Sequence, residues 1–262
     1  MSHKILMANL IILFIICVFF CQSCSKNESI TTIENLAYDG RHNSNDSTLI
    51  YVLENGQYVP FIVLTNDYNG NTLLLRKDVL PLSMRINSYS SLYKDSEIDQ
   101  FLNSDYLSGL DEMQSLVVSS KILITDEESL GVCGNTTEEI ERKVFLLSYS
   151  EVGFNDAITC GLEGKSLKYF NDSKNKIAFR NGTPSSWWLR TPNTWYLSCT
   201  HVIGTSGQLD ITNAFDNNGI RPAFCVDSSS QIELSKEVIP EQHVYVFSSS
   251  DAPTHDFVGR GF

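Results

Sequence analysis

The chain has 262 residues, with 19 basic against 31 acidic side chains and a net charge of -12. At 42% hydrophobic and 11% aromatic it is too apolar for a disordered acidic tail, and its length suits one domain with appendages. The acidity disfavours nucleic-acid partners and adhesion to anionic lipid by charge alone.

Lys4 precedes a short apolar run from Ile5 to Phe20, ending in Cys21-Gln22-Ser23-Cys24. A positive residue before such a run reads as an export signal. The end of the run resembles a bacterial lipoprotein signal, which makes Cys24 the lipidated residue and residues 1–24 a signal peptide. Plain secretion and an uncleaved anchor are the alternatives, although the run is short for a bilayer span. All three place the rest of the chain outside the cytoplasm, in the cell envelope for the lipid-anchored form. Cleavage before Cys24 removes one charged residue, Lys4, and moves the net charge to -13.

Residues 25–48 are polar and read as a flexible tether with one short element near Ile30 to Tyr38. Leu49–Val52 and Val59–Leu64 are apolar runs joined by Glu54-Asn55-Gly56, a hairpin signal. A second turn, Asp67 to Asn71, leads to a third strand at Thr72–Leu75. Asp95 to Leu110 has helical spacing at Ile98, Phe101, Leu102 and Tyr106, with Asp95 or Ser96 as cap and Gly109 as stop. Lys121–Ile124 and Val144–Leu147 read as strands, and Glu138 to Lys143 as a solvated charged segment anchored by Ile140. Ser148 and Glu151 have capping-box spacing. A short helix is expected near Ser166 to Phe170. The last strands are expected at Trp187–Leu189, Leu197–Ile203, Leu209–Thr212 and Ile220–Val226. Short strands, Asn/Gly turns and a few short helices point to an α+β domain over residues 49–227. Residues 228–262 form a C-terminal extension, in which Val244–Phe247 can add one strand.

Beyond the signal stand Cys133, Cys160, Cys199 and Cys225. An oxidising envelope permits disulfides among them, and the alternative is separately buried thiols. Cys199 and Cys225 fall in late strands expected to share a sheet, which makes them a candidate pair and leaves Cys133 with Cys160. No metal motif, cofactor motif, nucleophile elbow or phosphate loop is present. The expectation is a protein that is not an enzyme.

Ser186-Trp187-Trp188-Leu189-Arg190-Thr191-Pro192, followed by Asn218-Gly219-Ile220-Arg221-Pro222-Ala223-Phe224, resembles the bacterial domain of unknown function 6273. The opening strand pair, the Leu102-Asn103 helix end and the strand at Lys143 to Ser148 extend the resemblance over about Tyr58 to Asp227. That family is similar in pattern to the C-type-lectin-like and formylglycine-generating-enzyme-like group. The resemblance implies a single C-type-lectin-like domain and leaves activity open.

Adjacent Trp187 and Trp188 point to opposite faces of a strand, so one belongs to the core. The other can face a groove. Candidate binding residues are Trp188, Arg190, Trp195, Asp216, Asn217 and Arg221: a Trp face stacks on a glycan or envelope protein, and Arg, Asn and Asp donate or accept hydrogen bonds. The bland reading is that Arg190 and Arg221 brace loops by bonding carbonyls and carboxylates. A structural scaffold without a pocket, or an enzyme of the formylglycine-generating type, are the alternatives to a binding module.

Overall fold

A computed structural model describes residues 31–40, 48–155, 162–236, 238–239 and 242–248. The signal segment, Cys24 and Cys160 lie outside these residues. The described part shows a mixed α+β architecture of short strands and few short helices, within one compact unit beginning at Thr31. Among the described residues, no helix is long and apolar enough to cross a membrane.

Both Asn-Gly turns form as the sequence suggests. β2 (Leu49–Glu54) and β3 (Gln57–Tyr68) are joined by Asn55 and Gly56, both at positive φ, and β3 is joined to β4 (Asn71–Arg76) by Asn69 and Gly70 in the same way. Positive φ at both central residues matches the twist of a two-residue hairpin. β2 alternates buried and partly exposed residues, whereas Phe61–Thr65 of β3 and Thr72–Arg76 of β4 are buried without a break. The centre of this sheet is therefore covered on both faces.

The large sheet runs β1 (Thr31–Thr32), β17 (Gln231–Ser235), β18 (Val244–Phe247), β2, β3, β4, β16 (Ala223–Val226), β6 (Val117–Val118), with β9 (Val144–Phe145) also on β16. The second sheet has the order β14 (Leu209–Asn213), β13 (Cys199–Ile203), β12 (Trp187–Pro192), β15 (Asn218–Gly219), β5 (Ser83–Met84). Two hairpin ribbons complete the strands: β7 (Ser120–Thr125) with β8 (Thr137–Arg142), and β10 (Ala178–Arg180) with β11 (Thr183–Ser185). The charged segment around Ile140 is thus a strand, with Ile140 buried against β7.

The expected helix is α1 (Glu97–Phe101), continued by a π-helical turn at Leu102–Tyr106. Ser96 caps it, its Oγ accepting from the Asp99 N–H. The π turn sets Asn103 against β9: its amide donates to the Val144 carbonyl at 2.9 Å, and its Oδ1 accepts from Val144 N–H at 3.1 Å. A wider turn at this point lets one side chain pair with both the N–H and the C=O of one strand residue.

Three expectations are corrected. The short element expected near Ile30 to Tyr38 forms as a 3-10 turn at Ile33–Leu36, but residues 31–40 are not a free tether: Ile33, Leu36 and Ala37 join the core, and Thr31–Thr32 pair with β17. In the segment after Asp227 the strand expected at Val244–Phe247 does form, as β18, and with β17 it lies between β1 and β2. The proposed Cys199–Cys225 disulfide does not exist. Cys199 sits in β13 of the second sheet and Cys225 in β16 of the first, and both are free, as is exposed Cys133. The strand expected at Ile220–Val226 starts only at Ala223, since β15 ends at Gly219 and Arg221-Pro222 carry the chain into the other sheet. Burial pushes the Cys225 thiol up to about 12, so it stays protonated.

The domain therefore needs residues on both sides of 49–227. Ile33, Leu36 and Ile232 are almost wholly buried, each worth about 1.5–3 kcal/mol, against a typical total of about 5–15 kcal/mol. A fragment of residues 49–227 is expected to lose cooperative urea unfolding, while residues 31–248 retain it. Equal unfolding midpoints would show the flanking strands to be dispensable.

Candidate functional site

The Trp-Trp segment builds the interior, not a surface. Every residue of β12 is buried. The Trp187 Nε1–H donates to the Lys176 carbonyl at 2.9 Å and that of Trp188 to the Met84 carbonyl at 2.7 Å, so both indoles are anchored in the core. Trp188 has no face left for a ligand.

Arg190 is buried and fully engaged. It bonds both oxygens of Glu151, at 2.7 and 3.0 Å, and the carbonyls of Leu123, Leu146 and Glu163 at 2.7–3.0 Å. Glu151 also closes the capping box: its Oε2 accepts from Ser148 N–H at 2.8 Å, and Ser148 Oγ accepts from Glu151 N–H at 3.1 Å. The Tyr68 hydroxyl donates to Glu151 Oε1 at 2.6 Å. Glu163 lies 3.3 Å from Arg190 Nε and is held by Thr125 and Thr191. Gly164 has a φ of +119°, and a Cβ there would stand 2.9 Å from Glu151 Oε1, so this turn requires glycine. The carboxylates are what the sequence reading missed. Ser148 and Glu151 were legible as a cap, but nothing marked Glu151 as a counter-ion, and Glu163 carries no motif at all.

Arg221 is a second brace. It bonds the carbonyls of Arg76 and Lys77 and lies 4.9 Å above the Trp187 ring. Burial lowers it to about 10. The sequence reading that both arginines brace loops holds for Arg190 and Arg221. His201 packs 4.9 Å from the Tyr149 ring, its Nδ1 3.0 Å from the Thr191 carbonyl oxygen.

Trp195, Asp216 and Asn217 are exposed instead. Trp195, Tyr196 and Leu197 are 53%, 59% and 61% exposed in consecutive positions. Leu197 is expected to start a strand that instead begins at Cys199, and the loop is fixed by its backbone. Asn193 Oδ1 accepts from the N–H groups of Trp195 and Tyr196, Gly131 N–H donates to the Thr194 carbonyl, and the Ser91 hydroxyl donates to the Leu197 carbonyl. Ala214 N–H reaches the Ser198 carbonyl at 2.7 Å, which ties the loop to the segment carrying exposed Phe215, Asp216 and Asn217. Among the described residues, no group of three or more His, Cys, Asp or Glu is placed to hold a metal.

The model of the Domain of unknown function (DUF6273) matches residues 69–228, more than half of the chain. The chain belongs to this family. No curated protein and no solved structure matches it. The match begins after β3 and ends before β17, so β1, β17, β18, β2 and β3 lie outside the matched segment, together on one side of β4. They are chemically joined to the family segment. Glu54 of β2 pairs with buried Arg76 at 3.0 Å and accepts from the Tyr106 hydroxyl at 2.9 Å, while Tyr68 of β3 bonds Glu151.

Two predictions follow from the buried charges. Arg190→Met leaves two buried carboxylates without their cation and should cost about 3–5 kcal/mol, read as a drop in urea midpoint. Arg190→Lys should not recover it, because an ammonium cannot bond both carboxylate oxygens and three carbonyls at once. Burial lowers the His201 pKa, with its bond to Thr191 opposing. The unfolded chain takes up a proton near pH 6.5 that the folded chain refuses, so stability falls as pH drops below about 6.5. Glu163 acts in the opposite sense. Burial raises its pKa against Arg190 and Thr125, so its contribution is present at low pH and is lost as pH rises through the raised value. In His201→Gln the urea midpoint should decline less than in the parent between about pH 6.5 and 5. Identical slopes would remove His201 from the acid limb.

Proposed function

We propose that the domain is an exported recognition module whose loop at 193–198 and turn at 215–217 bind an extended glycan. The observation that carries this is the run Trp195-Tyr196-Leu197, more than half exposed on a loop held by backbone hydrogen bonds. Apolar rings that a chain leaves exposed on a fixed loop, beside polar residues, suit a partner that stacks and hydrogen-bonds. Phe215 adds a further ring, and Asp216 with Asn217 adds hydrogen-bonding groups. The surface is open, which suits a sugar chain lying across it. Binding here needs no ordering of the loop, so little entropy is lost on association.

The export reading belongs to the same proposal. Lys4, the apolar run and Ser23-Cys24 support a lipid on Cys24 that holds the domain on the outer side of a bacterial membrane. The C-type-lectin-like topology is also proposed, on the resemblance of the Trp187–Pro192 and Asn218–Phe224 segments. Val244–Phe247 lies within the sheet as β18, so it offers no docking strand for a scaffold.

The test is a binding screen of residues 25–262 against glycans and envelope extract. Trp195→Ala and Tyr196→Ala should each weaken binding about threefold to tenfold, the worth of one ring contact. Periodate treatment of the extract should abolish binding and protease treatment should spare it. Unchanged binding in both variants would remove the loop from recognition, and the reverse pattern of treatments would make the partner a protein. Trp188→Ala is no test of ligand contact. It should cost about 3–5 kcal/mol as a core deletion.

A further inference from the structure

Positive charge gathers at one place in this acidic chain. The segment Arg76 to Val79, where β4 ends, is met by Arg221 from one side and by the β10–β11 hairpin from another. Arg221 bonds the Arg76 and Lys77 carbonyls. Val79 N–H donates to the Phe179 carbonyl, and Phe179 N–H donates to Asp78 Oδ1. Glu54 neutralises Arg76. Arg180 and Arg221 have no carboxylate within ion-pair distance among the described residues. With exposed Lys77, four cations stand here against Glu54 and Asp78.

A cavity of about 200 Å³ opens at this point. Val59, Pro60, Val79, Pro81 and Phe179 form its apolar wall, and Arg76, Asp78, Arg180 and Asn181 its polar part. It is smaller than the roughly 300–1,000 Å³ of drug-sized sites, so its ligand is small. Arg76 has most of its donors committed, being bonded to Glu54 and to the Asp78 and Val79 carbonyls. Arg180 is less engaged. Its NH1 bonds Ser83 Oγ at 2.6 Å, its NH2 reaches the Leu82 carbonyl only at 3.4 Å, and its enclosed Nε has no partner. A guanidinium carries five donors in a planar fork shaped for an oxyanion.

We propose that this cavity binds a small organic anion, its charged oxygens on Arg180 and its apolar body against Phe179, Pro60 and Pro81. Carboxylate and phosphate monoester share the chemistry that Arg180 recognises. The cavity is distinct from the aromatic loop in its lining, which includes no residue of 193–198 or 215–217.

The experiment titrates residues 25–262 with benzoate, phenyl phosphate and uncharged benzamide, read by saturation-transfer NMR and by thermal midpoint. Both anions should saturate and raise the midpoint, and benzamide should do neither. Arg180→Gln should weaken anion binding about tenfold or more, the worth of a charged hydrogen bond, and added NaCl should weaken it further in the parent. Trp195→Ala should leave the anion response unchanged, so the two sites fail independently. Phe179→Ala alters a partly exposed side chain and should weaken binding without unfolding the chain, which keeps the test valid if Arg180→Gln does not fold. Equal binding of benzamide, no response to either anion at millimolar concentration, or undiminished binding in both variants would overturn the site.

Discussion

Arg190 is the point on which the structure turns. One guanidinium joins β12 to β7, to the segment after β9, to the capped turn at Ser148–Glu151 and to the loop at Glu163. A buried charge tolerates this only if every donor is filled and a carboxylate lies against it, and both conditions are met here. The geometry also orders what surrounds it. The Ser148 N–H holds Glu151 where it meets the arginine, and the Glu163 loop turns at Gly164, where a Cβ would collide with Glu151. Such a network does little for net stability compared with apolar packing, but it permits one arrangement of its loops and penalises others.

From that interior the outer features take their positions. β12 carries Arg190 and continues through Thr191 and Asn193 into the loop bearing Trp195, Tyr196 and Leu197. Thr191 binds Glu163 through its hydroxyl and His201 through its carbonyl, so the root of the loop is tied on two sides. The exposed rings are therefore borne by a rigid base. The flanking strands outside the family segment contribute in the same way. Glu54 and Tyr68 reach across to Arg76, Tyr106 and Glu151, so the larger sheet is an electrostatic unit as well as a hydrogen-bonded one.

Much of the local structure was legible. Asn55-Gly56 and Asn69-Gly70 announced their hairpins because few residue pairs accept positive φ twice. Ser96 and the Ile98, Phe101, Leu102 spacing announced the helix, and Ser148 with Glu151 the cap. The roles of side chains were harder. Strand alternation puts one Trp of the pair in the core and leaves the other free to pack under a loop or face a groove; β12 is covered on both faces, so both are core. The Cys199–Cys225 pairing assumed that successive late strands share a sheet, and Arg221-Pro222 instead lead the chain across. Polar composition made residues 31–40 look like a tether, although Ile33, Leu36 and Ala37 suffice to bury the segment.

Patterns within about ten residues thus determined the elements by themselves: turns from backbone sterics, caps from unpaired N–H groups, strands from alternation. The tertiary structure alone decided which strands meet and which charges pair. Arg190 and Glu151 are 39 positions apart, and Arg76 and Glu54 are 22 apart. Nothing local links such residues, because the free energy that joins them comes from excluding water once the sheets have closed. The same closure buried Trp188 and left Trp195 in solvent, a distinction that seven residues of sequence could not make.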